Sequence, residues 1–250
     1  MAQAENLLIQ QLPKATRKRL LDQCEPFELV LYAELSAGGE LATHAYFPQS
    51  GFISLVIDVD NYPTLEMGMA GRESMLGSEL VPGLGKPPWR ALVLGPGRSW
   101  RIEAQTLRKE CIASPRLRQV IQTSLLVRLH QQTLAPACER FHKIGPRLAR
   151  WLLMSQDRAQ TDTFHVTQEF MALMLGVRRV GITVAASEFQ KNGLISHHRS
   201  ELTVQNRPTC FGTPPPFTCS KLGWRSMSFG VGWGTSIWRR PIDMQRSPCV

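Results

Sequence analysis

The spacing of apolar residues changes at Ser114, and this change limits the folds open to the chain. From Phe27 to residue 103 the apolar residues fall in short runs, at every second position in FELVLYA; from Ser114 onward they recur at every third or fourth. Side chains alternate across a strand but follow one stripe of a helix at the wider spacing, so the first half reads as strands and the second as helices. After a short helical start containing Leu7, Leu8, Leu12 and Leu20, FELVLYA at 27–33 places Phe27, Leu29 and Leu31 on one face. HAYF (44–47), FISLVIDV (52–59), TLEMGM (64–69), RALVL (90–94) and RSWRIE (98–103) follow. Between them lie Ala37-Gly38-Gly39, Pro48-Gln49-Ser50-Gly51, Asp60-Asn61-Tyr62-Pro63 and the loop from Pro82 to Pro88, all rich in turn formers. Short strands punctuated in this way predict an antiparallel barrel or roll.

Ser114-Pro115 is a natural cap and first-turn pair for the helix that comes next. That helix carries two stripes. Leu117, Ile121, Leu125 and Leu129 are expected to cover the roll, while Val120, Ser124, Val127, Gln131, Leu134, Cys138 and Phe141 are left for a partner helix. The alternative is a helix buried within one chain. Pro136 removes a hydrogen bond to Gln132 and is expected to end or kink the helix. A second helical segment, PRLARWLLMSQDR at 146–158, turns Leu148, Trp151, Leu152 and Met154 inward.

The segment VTQEFMALMLGVRRVGITVAASEFQKNGLI, 166–195, reads as two helices joined by a glycine turn. Thr167 caps the first, Glu169 lies near its positive end, and Phe170, Met171, Met174 and Leu175 form its apolar face. Gly176 makes the turn and Val177 fills the corner. The second helix starts near Arg178, buries Ile182, Ala185, Ala186 and Phe189, and stops at Asn192-Gly193. This is a helix-turn-helix pattern whose second helix would lie in the major groove of DNA. Thr167, Gln168, Arg178, Arg179 and Thr183 are the expected contacts, since arginine there can pair bidentately with guanine or clamp phosphate. LISHHRSELTVQ at 194–205 reads as a two-stranded wing with His197, His198 and Arg199 at its tip, of which His198 and Arg199 are expected to reach the DNA backbone. A plain helical hairpin and, for the histidines, ordinary turn residues are the competing readings.

The net charge of +9 is unevenly placed. Residues 1–113 carry 11 Lys/Arg against 13 Asp/Glu, residues 114–205 carry 12 against 6, and residues 206–250 carry 6 against 1. A mildly acidic half joined to a basic one suits a chain of which only the second half meets a polyanion. The six cysteines show no spacing that would arrange metal ligands, which predicts reduced thiols. With no long apolar run, and with a basic cluster that follows rather than precedes the first apolar residues, neither a membrane partner nor a signal peptide is expected, and the cytoplasm is the expected location. Gly85-Lys86 is followed by Pro87 where a phosphate loop needs Ser or Thr for magnesium, and no nucleophile motif or metal spacing appears, so no enzyme is expected.

The order of these parts, with YFPQSGFISL, GRESMLG, PPWRALVLG, RLARWLLM and the 166–195 segment, resembles the Crp/Fnr family of transcription regulators over residues 6–205, within a branch having a GRE-type loop and an LGVRR helix-turn-helix. The resemblance implies an α+β fold: a cyclic-nucleotide-binding-like β-roll (jelly roll) sensor at 1–113, a dimerisation helix at 114–143 and a winged helix-turn-helix at 144–205. It also implies a homodimer, through Val120, Ser124, Val127, Gln131 and Leu134, on a pseudo-palindromic double-stranded DNA operator, with RNA polymerase as a further partner. An effector pocket would involve Gly77, Ser78, Glu79, Arg90 and Ala91. Cyclic-nucleotide binders carry a glutamate after the glycine and a Ser or Thr after the arginine; Ser78 and Ala91 stand there. The resemblance therefore implies no cofactor and an effector other than cyclic AMP. The iron–sulfur branch needs an N-terminal cysteine cluster, of which only Cys24 is present. The recognition helix departs too, with Val180 and Val184 in place of polar residues, so a sensor or interaction protein that has lost specific DNA binding is the alternative.

Residues 206–250 contain no alanine, one leucine, three of the six tryptophans, three of the six cysteines and six of the 17 prolines. A non-family tail, disordered or translated from a shifted reading frame, is expected there. A small appendage anchored on Trp224, Trp233 and Trp238, or a basic tail gripping DNA through its charge, are the alternatives.

Overall fold

A computed structural model describes residues 5–60 and 64–206, except for the side chain of Leu134; the region 207–250, including most of the expected tail, lies outside the described residues. Two short helices, α1 (Leu7–Gln10) and α2 (Lys14–Leu21), precede a run of seven strands: β1 (Glu25–Leu29), β2 (Glu34–Ser36), β3 (His44–Pro48), β4 (Phe52–Ile57), β5 (Leu65–Ala70), β6 (Arg90–Gly95) and β7 (Gly97–Glu103). They pair antiparallel into two sheets, ordered β1-β7-β3 and β2-β6-β4-β5. Leu29, Tyr46, Ile53, Leu55, Leu76, Ala91 and Val93 fill the space between them. The predicted strand at 27–33 is shorter than its periodicity suggests: the backbone leaves the strand after Leu29 and takes a positive φ at Tyr32, which supplies a turn into β2.

Helix α3 (Ala104–Ala113), which the sequence reading lacks, and the long α4 (Pro115–Phe141) close the roll with α1 and α2. Ser114 accepts from the Leu117 amide and caps α4, as its position before a proline predicts. Pro136 does not end α4, which continues to Phe141. The roll-facing stripe includes Leu117, Val120 and Ile121, packed with Phe47, Ile102, Leu107 and the leucines of α1 and α2.

The C-terminal part consists of α5 (Ile144–Ala159), β8 (Thr163–His165), α6 (Gln168–Met174), α7 (Arg179–Lys191), β9 (Ile195–His198) and β10 (Glu201–Val204). The predicted two-stranded wing gains a third strand, giving the order β8-β10-β9. Residues 5–206 belong to one compact unit, and the roll and winged parts share a core. Alternation along β4 explains the arrangement. Ile53 and Leu55 point into the roll, whereas Phe52 and Val56, with Met69 and Leu94, meet Leu148, Trp151, Leu152 and Leu175 on the other side of the sheet.

Candidate DNA-binding interface

The helix-turn-helix forms from local signals. Thr167 Oγ1 accepts from the Phe170 amide at 3.1 Å and caps α6, whose Met171, Ala172 and Met174 are buried. Gly176 takes φ +60°, a conformation a side chain disfavours, and turns the chain into α7. A Cβ on Gly181 would lie 2.3 Å from Ile144 Cδ1, so this glycine lets α7 approach α5 closely. Ile182, Ala185, Ala186 and Phe189 then fix α7 against the core. Arg178 is the N-cap residue of α7, and Gly193 with φ +66° follows its end at Asn192.

Fixing that face leaves the opposite one in solvent. Arg178, Arg179 and Thr183 are exposed, and Val180 and Val184 are 72% and 64% exposed. Two contacts tie this face to the start of α6. Arg179 pairs with Glu169 at 2.7 Å, and Thr183 Oγ1 donates to Gln168 Oε1 at 2.7 Å. The sequence reading gave Glu169 only a role at the helix end; its ion pair with Arg179 depends on how α6 and α7 cross. At the wing, Arg199 and Ser200 both have positive φ in the two-residue turn between β9 and β10, which brings His198 and Arg199 to an exposed tip. His197 instead faces inward, its Nε2 lying 3.0 Å from the Val166 carbonyl oxygen.

The expected effector pocket is not assembled as the sequence suggested. Gly77, with φ +90°, begins a single 3-10 turn at Ser78–Leu80, and Ser78 and Glu79 are buried. Arg128 of α4 reaches them, donating through Nη2 to Ser78 Oγ at 2.7 Å and to Glu79 Oε2 at 2.8 Å, and through Nη1 to the Met75 carbonyl at 3.4 Å. Arg90 is engaged elsewhere. Its guanidinium pairs with Asp58 at 2.7 Å and Glu34 at 3.1 Å, while Ala91 is packed between the sheets. Nothing in the sequence marks Arg128 out, because its partners are about fifty residues away.

The expected dimer stripe is also corrected. Val120 is only 5% exposed and belongs to the roll core, whereas Leu129, expected to cover the roll, is 54% exposed. Leu126 is 64% exposed, and Ser124, Val127 and Gln131 are half-buried; the Leu134 side chain lies outside the described residues. Helix α4 is rotated so that Leu126 and Leu129, rather than Val120, lead its free face.

Among the described residues no group of three or more potential metal ligands occurs, and no helix is long and apolar enough to cross a membrane. No curated protein matches the chain. Residues 146–209 match the Crp-like helix-turn-helix domain. Among solved structures, a crp/fnr-family transcriptional regulator from Eubacterium rectale is 19% identical, with 80% of this chain and 94% of that one covered and a TM-score of 0.63. The c-di-GMP-responsive global regulator CLP from Xanthomonas campestris is 17% identical, with 78% and 100% covered and a TM-score of 0.63. FixK2 from Bradyrhizobium japonicum is 12% identical, with 74% and 93% covered and a TM-score of 0.59. At these identities the likeness is one of fold. Residues 146–209 thus carry a Crp-like helix-turn-helix domain, and the roll, long helix and winged domain together have the fold of these Crp/Fnr-type regulators.

Proposed function

We propose that this chain is a transcription regulator of the Crp/Fnr type that works in the cytoplasm as a homodimer, placing α7 of each protomer in successive major grooves of a pseudo-palindromic operator. The exposed face of α7 carries the reading. It presents Arg178, Arg179 and Thr183 beside two solvent-facing valines, a combination that costs apolar exposure unless something covers it. Arginine at the start of the helix suits guanine or phosphate, and Val180 and Val184 suit thymine methyl groups. The two valines thus fit a reading surface as well as they fit one that has lost its polar contacts. Thr167 and Gln168 at the start of α6, and His198 and Arg199 at the wing tip, are assigned to the flanking backbone. RNA polymerase is the partner through which such a complex would act.

Dimerisation is assigned to α4 through Leu126 and Leu129, flanked by Val127 and Gln131. Cyclic AMP is excluded as the effector by this reading, because Arg90 is committed to two carboxylates, Ala91 offers no hydroxyl, and Glu79 is taken by Arg128. Micromolar cyclic AMP binding in calorimetry would refute that assignment.

Selection of bound sites from random duplex DNA, followed by a salt titration on the selected site, tests the reading. A two-fold-related motif is expected, with log affinity falling linearly and steeply with log salt. A protein that enriches no motif, or whose binding ignores salt, would overturn it.

A further inference from the structure

One charged side chain sits at the seam where the roll and the winged domain share their core. Glu66 of β5 lies opposite Val56 in the β4–β5 register, and Val56 packs into that core. The fully buried Ser54 donates its hydroxyl to the Glu66 carboxylate. From α5, Trp151, Arg158 and Arg150 act on the same carboxylate. Arg158 is shared: its Nε pairs with Glu73 at 2.9 Å, and its Nη1 donates to the Met154 carbonyl. On β6, which lies beyond β4 in the same sheet, Arg90 is taken up by Asp58 and Glu34. Helix α4 donates from Gln132 to the Met67 carbonyl, and Leu175 beside α6 bridges to Leu65. Strand β5 thus meets α4 and α6, α5 lies on β4 and β6 beside it, and Glu66 is the acid of β5 at this seam.

We propose that Glu66 is a proton-operated latch between the roll and the winged domain, closed when the carboxyl is protonated and weakened when it is ionised. A neutral carboxyl can sit against Trp151 and Val56 and share hydrogen bonds with Ser54 without the cost of burying a charge. An ionised one must give up part of its hydration whenever α5 docks on the sheet, where Glu66 is half-buried. Burial accordingly pushes the Glu66 carboxyl up to about 7 from its usual 4.5, while Ser54, Trp151, Arg158 and Arg150 pull the other way and do not offset it. The docked state thus holds its proton more tightly than an undocked state in which Glu66 faces water. Docking is strongest below the usual carboxylate range, weakens as pH rises toward 7, and levels off above it. From pH 6 to pH 8 one such proton changes the docking equilibrium by about tenfold.

Hydrogen exchange of the full chain, with exchange times scaled for the intrinsic pH dependence, reads this equilibrium in the peptides of β5 and α5. Their protection is expected to fall about tenfold from pH 6 to pH 8 in the wild type. In E66Q, which keeps the shape of the protonated acid, it should stay constant with pH and exceed the pH 6 value of the wild type by about thirtyfold. Equal pH responses in the two proteins, or constant protection in the wild type, would overturn the latch. The carbon signal of the Glu66 carboxyl in the labelled wild-type chain gives a second test that needs no variant. A midpoint near 7 supports the proposal, and one in the ordinary carboxylate range rejects it. Neither measurement involves DNA, so both are independent of the operator-binding reading.

Discussion

Arg128 and Glu79 form an ion pair at 2.8 Å with both side chains almost wholly buried, and the pair joins α4 to the roll at the place where an effector was expected. Trp89 lies with its ring 6.0 Å from the same guanidinium. Two desolvated charges are costly individually and tolerable together, so losing either partner leaves an uncompensated charge in the core. Glu79→Leu or Arg128→Met alone should each destabilise the protein by about 3–5 kcal/mol, whereas the double replacement should restore most of the loss. Urea unfolding of the four proteins measures this, and a double variant as unstable as the sum of the singles would contradict it.

Arg179 is held by Glu169 at the surface, where both side chains are more than half exposed, so the pair adds little to stability and can be exchanged for DNA. Arg179→Ala should cost about 1–3 kcal/mol in operator affinity and relax the preference at one position of each half-site. The double alanine variant at Arg178 and Arg179 should lose more, with unfolding unchanged. Fluorescence anisotropy on the selected site measures both; unaltered affinity in the double variant would remove α7 from the interface.

Leu126 and Leu129 should behave differently from Val120. Aspartate at the first two should yield monomers with an intact roll, since both side chains are exposed. Aspartate at Val120 buries a charge among Leu117, Ile121 and Leu107 and should destabilise the roll itself by several kcal/mol, about 3 or more. Sedimentation velocity together with thermal unfolding separates the two outcomes. A wild-type chain that stays monomeric at micromolar concentration would exclude the dimer.

Two thiols should resist modification while the chain is folded. Burial, reinforced by Glu110, pushes the Cys24 thiol up to about 12, and burial pushes Cys111 up to about 11 although Arg118 opposes it. Against an ordinary value of 9.0, the reactive thiolate at pH 8 is depleted about a thousandfold at Cys24 and about a hundredfold at Cys111. Peptide mapping after iodoacetamide treatment should show both unlabelled in native protein and labelled in denaturant. Rapid native labelling of either would contradict this.

The sequence by itself determined what short-range physics controls. Thr167 and Ser114 cap their helices because a cap closes within three residues, and Gly176 and Gly193 mark turns because a positive φ is a property of one residue. The existence of β4 and the buried face of α7 were legible in the sequence, and so was the exposure of Arg178 and Arg179, but which face of β4 meets which core was not, because FISLVI is apolar on both faces. The rotation of α4 did not. Leu125, Leu126, Val127 and Leu129 crowd its middle on nearly every side, so spacing offers more than one stripe, and only packing decides that Val120 goes in while Leu126 and Leu129 stay out. Likewise Arg128 and Glu79 are 49 residues apart, and Glu66 meets Trp151 and Arg158 only because a winged domain lies on the sheet that carries it. A charge's partner, and with it the charge's cost, is set by contacts between distant segments, and those exist only in the folded chain.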